Sequence, residues 1–287
     1  MAEGILIVDK PADWTSQDVV AKLRGVFHEK RAGHGGTLDP MATGVLPVFF
    51  GRATRAVEFF EHAEKAYVAT LRLGLTTNTQ DITGETLEAK PVDVSDAALT
   101  AALTRFTGAL RQLPPMFSAV KIGGKKLYEL ARAGKEVARA PREITIFELR
   151  MLVRRENDIE LYVHCSKGTY IRTLCHDIGA ALGCGGCMAA LRRVQAGRFT
   201  ADEAHTMDEI LTAPDKNALL LPTESLFMQY PALTLSEKQE RRIRDGAGFS
   251  ITAAPGRYRA RASSGDFLAL VEVADGVLKT VKSFFTP

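Results

Sequence analysis

No window of this sequence approaches the roughly eighteen consecutive apolar residues that a membrane-spanning helix needs, and the opening MAEGILIVDKP is too short and too charged for a secretory leader. No membrane association is expected, and the cytoplasm is the expected location. Cysteine is sparse, with four residues at 165, 175, 184 and 187. In a reducing compartment these stay thiols, so the fold must rest on burial and not on disulfides. Neither sign of charge dominates, with 37 Lys and Arg against 34 Asp and Glu. The signatures of several common chemistries are also missing. HExxH, a serine in G-x-S-x-G and an acidic cluster for paired metals are all absent, which weakens the usual hydrolase routes. The GHGG run lacks the Gly-Lys-Ser/Thr ending that holds phosphate and magnesium, so nucleotide hydrolysis fits poorly. Cys184-Gly-Gly-Cys187 is a CxxC with no second pair, and a metal site is not expected from it.

What is present is an ordinary globular composition, 46% hydrophobic and 25% charged, in 287 residues. That length suits one large domain, or a large one with a small one. The charge is unevenly placed: residues 121–155 hold ten Lys and Arg against four Glu. Such a segment can track a phosphate backbone, or can be a solvated face.

Along the chain, GILIVDKP reads as a strand stopped by Pro11. TSQDVVAKLRGVF follows as a helix with Thr15 at its cap and Asp18 three residues on. RAGHGGTLDPMATG, residues 31–44, carries four glycines and a proline and reads as a long specified loop. GVLPVFF is then a strand, RATRAVEFFEHA a helix, AYVATLRLG a half-exposed strand, LTTNTQDITGE a loop and EAKPVDVS a connector. Helices are expected at SDAALTAALTRFTG and LYELARAG, and a hairpin is expected from REITIFELRMLV and DIELYVHC. SKGTYIRTLCHDIGAALG turns sharply into a helix closed by Gly183. Thr206 and Glu209 form a capping box, and a boundary is placed near residue 225. Beyond it lie short strand runs with turns at Pro255-Gly256, Gly265-Asp266 and Asp275-Gly276. Hairpins with scattered helices favour an α+β fold, here 1–225, carrying a mostly β appendage, 226–287.

Asp39 sits in the middle of the glycine-rich loop with Pro40 behind it. It is either a structural Asp-Pro turn or a carboxylate held for nucleophilic work. Arg172, where a strand gives way to a helix, is either a surface arginine or a guanidinium that keeps a buried carboxylate ionised. Tyr67 and Tyr170, two of six tyrosines, are core residues or platforms for an unstacked base. His34 has no ligand spacing.

Taken in order, GILIVDKPADWTS, AGHGGTLDPMATGVLPV, AYVATLRLG, TQDITGE, CSKGTYIRTL and LRRVQAGRF resemble the TruB family of tRNA pseudouridine synthases over about 200 residues. The resemblance implies an α+β pseudouridine synthase domain with a mixed, mainly antiparallel sheet and a small C-terminal PUA-like β domain. It implies isomerisation of uridine 55 in the T loop of tRNA, with Asp39 as nucleophile, Tyr67 stacking on the base and Arg172 paired with Asp39. His34, Tyr170 and Leu191 become contacts to the substrate nucleotide. Asp81 and the Lys10-Pro11 and Thr15-Ser16 pairs become pocket-lining or structural residues, and Arg192 and Arg193 become RNA or structural contacts. The expected partner is the tRNA T arm, with no obligate protein partner, a monomeric chain and no metal or other cofactor. Three positions depart from the family pattern: Asp13 for Gly, Gly35 for Thr and Met41 for Leu. Of these Gly35, beside His34, is expected to loosen the loop and weaken RNA affinity. Two rival readings stand beside this one: a synthase acting on ribosomal or guide-directed RNA, which shares the aspartate logic, and a noncatalytic RNA binder that uses the 121–155 segment and the C-terminal β segment and has no need of Asp39, Tyr67 and Arg172 together.

Overall fold

The computed structural model describes residues 2–118 and 120–285. In chain order the first part holds β1 (Gly4–Lys10), α1 (Ser16–Val26), β2 (Ala32–His34), β3 (Thr43–Phe50), the single turn α2 (Val57–Phe60), β4 (Lys65–Leu73), β5 (Leu75–Thr77), β6 (Thr86–Ala89) and α3 (Asp96–Arg105). Then come β7 (Gly108–Gln112), β8 (Lys121–Ile122), β9 (Lys125–Lys126), α4 (Leu127–Arg132), β10 (Arg142–Arg155), β11 (Asp158–Cys165), α5 (Ile171–Ala181), β12 (Gly186–Ala196), β13 (Phe199–Thr200), β14 (His205–Thr206) and α6 (Met207–Thr212). The main sheet runs β14-β1-β3-β12-β4-β11-β10-β7, with β2 added to β3 and β13 to β12. Only β1/β14 and β3/β12 pair in parallel, so the sheet is mixed and mainly antiparallel, as expected.

Local chemistry explains the elements that frame the site. Thr15 accepts from the Asp18 backbone and Asp18 returns the bond to the Thr15 N–H, the reciprocal capping box that starts α1. Thr206 and Glu209 do the same for α6. At the other end of α5, Gly183 takes φ +80° and stops the helix. Helix α5 lies directly against β12. A Cβ at Gly179 would stand 2.3 Å from the Gly186 nitrogen and one at Gly186 3.0 Å from the Gly179 Cα, so Gly179 and the second glycine of the CGGC run allow close helix–strand packing. Its two cysteines are free and buried, as are Cys165 and Cys175. Burial pushes the Cys187 thiol up to about 11, away from a reactive thiolate.

Three expectations change. Residues 31–44 are not all loop: Ala32–His34 pair with Phe50–Val48, and Thr43–Gly44 open β3. Ala32–His34 take up the stretch of β3 that β12, paired with it only at Thr43 and Gly44, leaves open, and pairing there satisfies N–H and C=O groups that burial would orphan. The stretch after Phe50 is a 3-10 segment, Gly51–Ala56, and one α turn, not a continuous helix. The LTTNTQDITGE loop and the EAKPVDVS connector contribute β5 and β6, which pair with each other. The basic 121–155 segment is divided, and the strand expected over its last part is there. Its first part is the β8–β9 hairpin and α4, but its last fourteen residues are β10, a strand of the main sheet with Ile144 and Ile146 in the core.

From Ala232 the chain builds a second, five-stranded sheet of β15 (Ala232–Thr234), β16 (Phe249–Ser250), β17 (Gly256–Arg261), β18 (Phe267–Ala274) and β19 (Val277–Ser283), with α7 (Glu237–Arg244) beside it. Its order, β15-β17-β18-β19-β16, is in keeping with a PUA-like β domain. Asp275 and Gly276, at φ +52° and +69°, make the tight turn between β18 and β19. This unit has its own core around Leu235, Ile243 and Val271. It shares a second core with the main sheet, in which Leu270 and Phe284 meet Ile5, Phe49 and Phe227. No helix of the described residues is long and apolar enough to cross a membrane.

Candidate active site

The Asp39 turn is held from two sides. On one side the Gly35 N–H donates to the Pro47 carbonyl of β3 at 2.9 Å, and the Leu38 N–H donates to Ser16 Oγ of α1 at 2.8 Å. On the other, the Pro40 carbonyl accepts from the Asp13 N–H at 2.9 Å and from Lys10 Nζ at 3.0 Å. Lys10 also donates to the carbonyls of Pro11 and Trp14, at 2.8 and 2.6 Å, so a fully buried ammonium spends its three protons tying the chain after β1 to the Asp39 turn. Burial lowers the Lys10 pKa to about 8. Gly44 is at φ +101°, and a Cβ there would lie 2.2 Å from the Arg193 carbonyl. Only glycine allows β3 and β12 to approach so closely behind the turn.

Arg172 comes from the first turn of α5 and is buried. Its Nε lies 2.9 Å from Asp39 Oδ2 and its Nη2 donates to Asp39 Oδ1 at 3.3 Å, a two-point pairing that needs both carboxylate oxygens as acceptors. The remaining donors reach the Phe117 carbonyl at 2.8 Å and the Thr79 carbonyl at 3.2 Å. Nη1 also stands 3.6 Å from Asp81 Oδ2, so one guanidinium faces two acids, the half-buried Asp39 and the buried Asp81. Asp81 is fixed by Thr79 Oγ1 and by the Thr83 N–H and hydroxyl, all onto Oδ1. Burial pushes the Asp39 carboxyl above the ordinary aspartate value. Arg172 pulls against this and Asp81 adds to it. Desolvation outweighs the guanidinium in direction, and Arg172 limits the rise.

Tyr67 on β4 and Leu191 on β12 belong to the apolar cluster that Leu38 of the turn joins and Met41 packs against, and the Tyr67 phenol lies near enough to Asp39 to feel its charge. Burial raises the Tyr67 phenol, and a hydrogen bond with Arg193, its cross-strand neighbour, opposes the rise. Arg193 is among the largest buried side chains. Its Nε donates to the Val45 carbonyl at 2.7 Å and its Nη2 to the Gly36 carbonyl at 3.1 Å, so it is a structural clamp on the loop. Arg192, the alternate residue, points the other way and makes a two-point pair with Asp9 at 2.9 and 2.8 Å. His34 is half-buried, and its Nδ1 accepts from the Gly36 N–H at 3.3 Å. Burial and Arg193 lower its pKa, which favours the neutral ring. Tyr170 caps α5 at the backbone, two residues before Arg172. The structure therefore gathers Asp39, Arg172, Asp81 and Lys10 into one charge cluster, with Tyr67 and Leu191 beside it. Sequence reading left the clamping role of Arg193 open and missed Gln112; the only signal for Arg193 was the LRR run.

Expected residue 35 behaviour also changes. A Cβ at Gly35 would lie 2.6 Å from Phe60 Cδ1 and 3.0 Å from Phe49 Cε2. The space a threonine would need is filled by Phe60, so the glycine is packed in place and does not leave a gap.

Residues 24–171 match the family profile described as TruB family pseudouridylate synthase (N terminal domain), and residues 172–228 match tRNA pseudouridylate synthase B C-terminal domain. A tRNA pseudouridine synthase B of Thermobifida fusca (strain YX) is 43% identical over 293 residues, covering 99% of this chain and 99% of that protein. One of Ralstonia pickettii (strain 12J) is 45% identical over 249 residues, covering 85% and 78%. Among solved structures, a chain of a Cbf5-Nop10-Gar1 complex superposes with a TM-score of 0.76 at 25% identity, over 99% of this chain and 85% of that one.

Proposed function

The chain belongs to the TruB family of tRNA pseudouridine synthases, and on that premise we propose that it isomerises uridine 55 in the T loop of tRNA, with Asp39 as the nucleophile. The observation that carries the reading is the two-point Asp39–Arg172 pair at the centre of a fixed glycine-rich turn.

The target base must leave its stack before its C5 can be reached, at a cost of about a few kcal/mol. Tyr67, whose phenol lies near Asp39, offers the replacement stacking surface, with Leu191 in the same cluster. His34 and Tyr170, at the loop entrance and at the start of α5, contact the displaced nucleotide and the T arm. Asp39 then assists rupture of the N1–C1′ bond. The base turns and C5–C1′ forms, the C5 proton leaves, and N1 gains a proton. Atoms and electrons balance without oxidant, reductant or water, so the chemistry calls for no cofactor. Residues 1–225 carry this reaction, 226–287 form an RNA-binding appendage, and the chain acts as a monomer without a protein partner.

The test is tritium release from a tRNA transcript labelled at C5 of its uridines, with the modified position mapped. Wild type should release label from position 55, and Asp39→Asn should bind tRNA with unchanged affinity and release none. Release from a different position would refute the site, and release by Asp39→Asn at the wild-type rate would refute the nucleophile.

A further inference from the structure

Gln112, the last residue of β7, is buried and is not used by the reaction described above. Its carboxamide makes two bonds to one residue of another element. The Tyr170 N–H donates to Gln112 Oε1 at 2.7 Å, and Gln112 Nε2 donates to the Tyr170 carbonyl at 3.0 Å. A side-chain amide thus pairs with the Tyr170 backbone as a neighbouring strand would. Tyr170 is the N-cap of α5, in an extended conformation at φ −98° and ψ 109°, and it has no side-chain cap of its own. Its carbonyl also accepts the first helical bond, from the Leu174 N–H at 3.0 Å. Both outward-facing backbone groups of the residue that begins α5 are therefore fixed by one side chain from across the molecule.

The consequence reaches the reacting carboxylate. Arg172 is two residues further along the same helix, and its guanidinium is held by Asp39 and by the carbonyl of Phe117. Phe117 belongs to the segment that starts at Gln112, and the intervening Pro114-Pro115 limits how that segment can bend. The strap 112–117 therefore meets the start of α5 twice, once at the Tyr170 backbone and once at the Arg172 guanidinium.

We propose that Gln112 is a positioning residue for the uridine isomerisation: its paired bonds to the Tyr170 backbone set the start of α5, and with it the placement of Arg172 against Asp39. The inference rests on the reading of Asp39 and Arg172 given above. Gln112 bonds the backbone of Tyr170 and not its ring, so its loss should act chiefly on the rate of the chemical step, with only a small change in RNA binding passed on through Tyr170.

Two variants test this. Gln112→Met keeps an unbranched side chain of similar length and removes both bonds. Gln112→Asn keeps the amide but is one methylene shorter, so it cannot make both bonds with Tyr170 in place. Single-turnover tritium release, tRNA KM and thermal unfolding are measured for each full-length protein. The expected result is a fall in kcat on the order of tenfold to a hundredfold for Met, a smaller fall for Asn, and a tRNA KM within about threefold of wild type. Wild-type kcat in either folded variant would overturn the proposal. So would a loss of kcat that only tracks a lowered unfolding temperature, with KM rising in step. If Gln112→Met does not fold, Gln112→Asn decides by the same kcat and KM criteria. Wild-type release at the mapped uridine shows that the reading beneath the proposal stands; its absence would overturn that reading and the proposal with it.

Discussion

Replacing Arg172 with lysine separates charge from geometry. Lysine keeps a cation near Asp39 but has no planar fork, so it can serve one carboxylate oxygen where Arg172 serves both, at 2.9 and 3.3 Å. It also abandons the carbonyls of Phe117 and Thr79, which Arg172 reaches at 2.8 and 3.2 Å. A hydrogen bond to a charged group contributes about 1.5–3 kcal/mol. Asp39 is 35% exposed and Arg172 only 7%, so water screens part of the interaction and the lower part of that range applies. A loss of about 1.5–2 kcal/mol in the transition state corresponds to a rate roughly ten- to thirtyfold lower. The pH profile should move as well. Burial already raises the Asp39 carboxyl and Arg172 opposes that rise, so a weaker partner lets it climb further. The acid limb of the rate should therefore lie at higher pH in Arg172→Lys than in wild type, because the ionised carboxylate is the active form. Single-turnover tritium release across pH, with tRNA affinity measured in parallel, reads both effects. An unchanged rate with an unchanged acid limb would refute the claim that two-point pairing sets the state of Asp39.

Gly35→Thr should destabilise the protein by about 1–3 kcal/mol, because its Cβ would meet the Phe60 ring at 2.6 Å. Adding Phe60→Leu should recover part of that loss in thermal unfolding, and a neutral Gly35→Thr would show that the ring moves freely. Glu224 is buried between Arg259, at 2.9 Å, and Arg261, at 2.7 Å, where the chain enters the C-terminal sheet. Glu224→Ala leaves the guanidinium of Arg259 buried beside no carboxylate and should cost about 3 kcal/mol of stability by calorimetry. A change under about 0.5 kcal/mol would mean that carbonyls already satisfy Arg259.

How much of the protein could be read from the chain depended on the range of the interactions. The capping boxes at Thr15 and Thr206 and the β10–β11 hairpin involve residues a few positions apart, and they are where the pattern places them. Strand β12 did not announce itself. It lies in the middle of the main sheet, but register shifts between Met188 and Ala190 and between Arg193 and Gln195 break its alternation, and one of its inward residues is the buried Arg193. A period-of-two pattern cannot reveal a strand that is irregular and carries a guanidinium inward. Likewise β2 is three residues long and glycine-bearing, and only its pairing with β3 makes it a strand.

The sequence by itself determined the family, because six motifs in order are a property of the chain, and it named Asp39, Arg172, Tyr67, His34, Tyr170 and Leu191 as the residues to examine. It also determined the local starts and stops of helices, since these are set by neighbours. Only the tertiary structure decided that Arg172 meets Asp39 across 133 positions of chain, that Lys10 ties the chain after β1 to the Asp39 turn, that Arg193 clamps the loop while Arg192 turns away, and that Phe60 fills the space beside Gly35. It alone decided the balance on the Asp39 carboxyl. Burial and the distance to each charge are set by packing between elements far apart in sequence, and the energy of an ionised group depends on both.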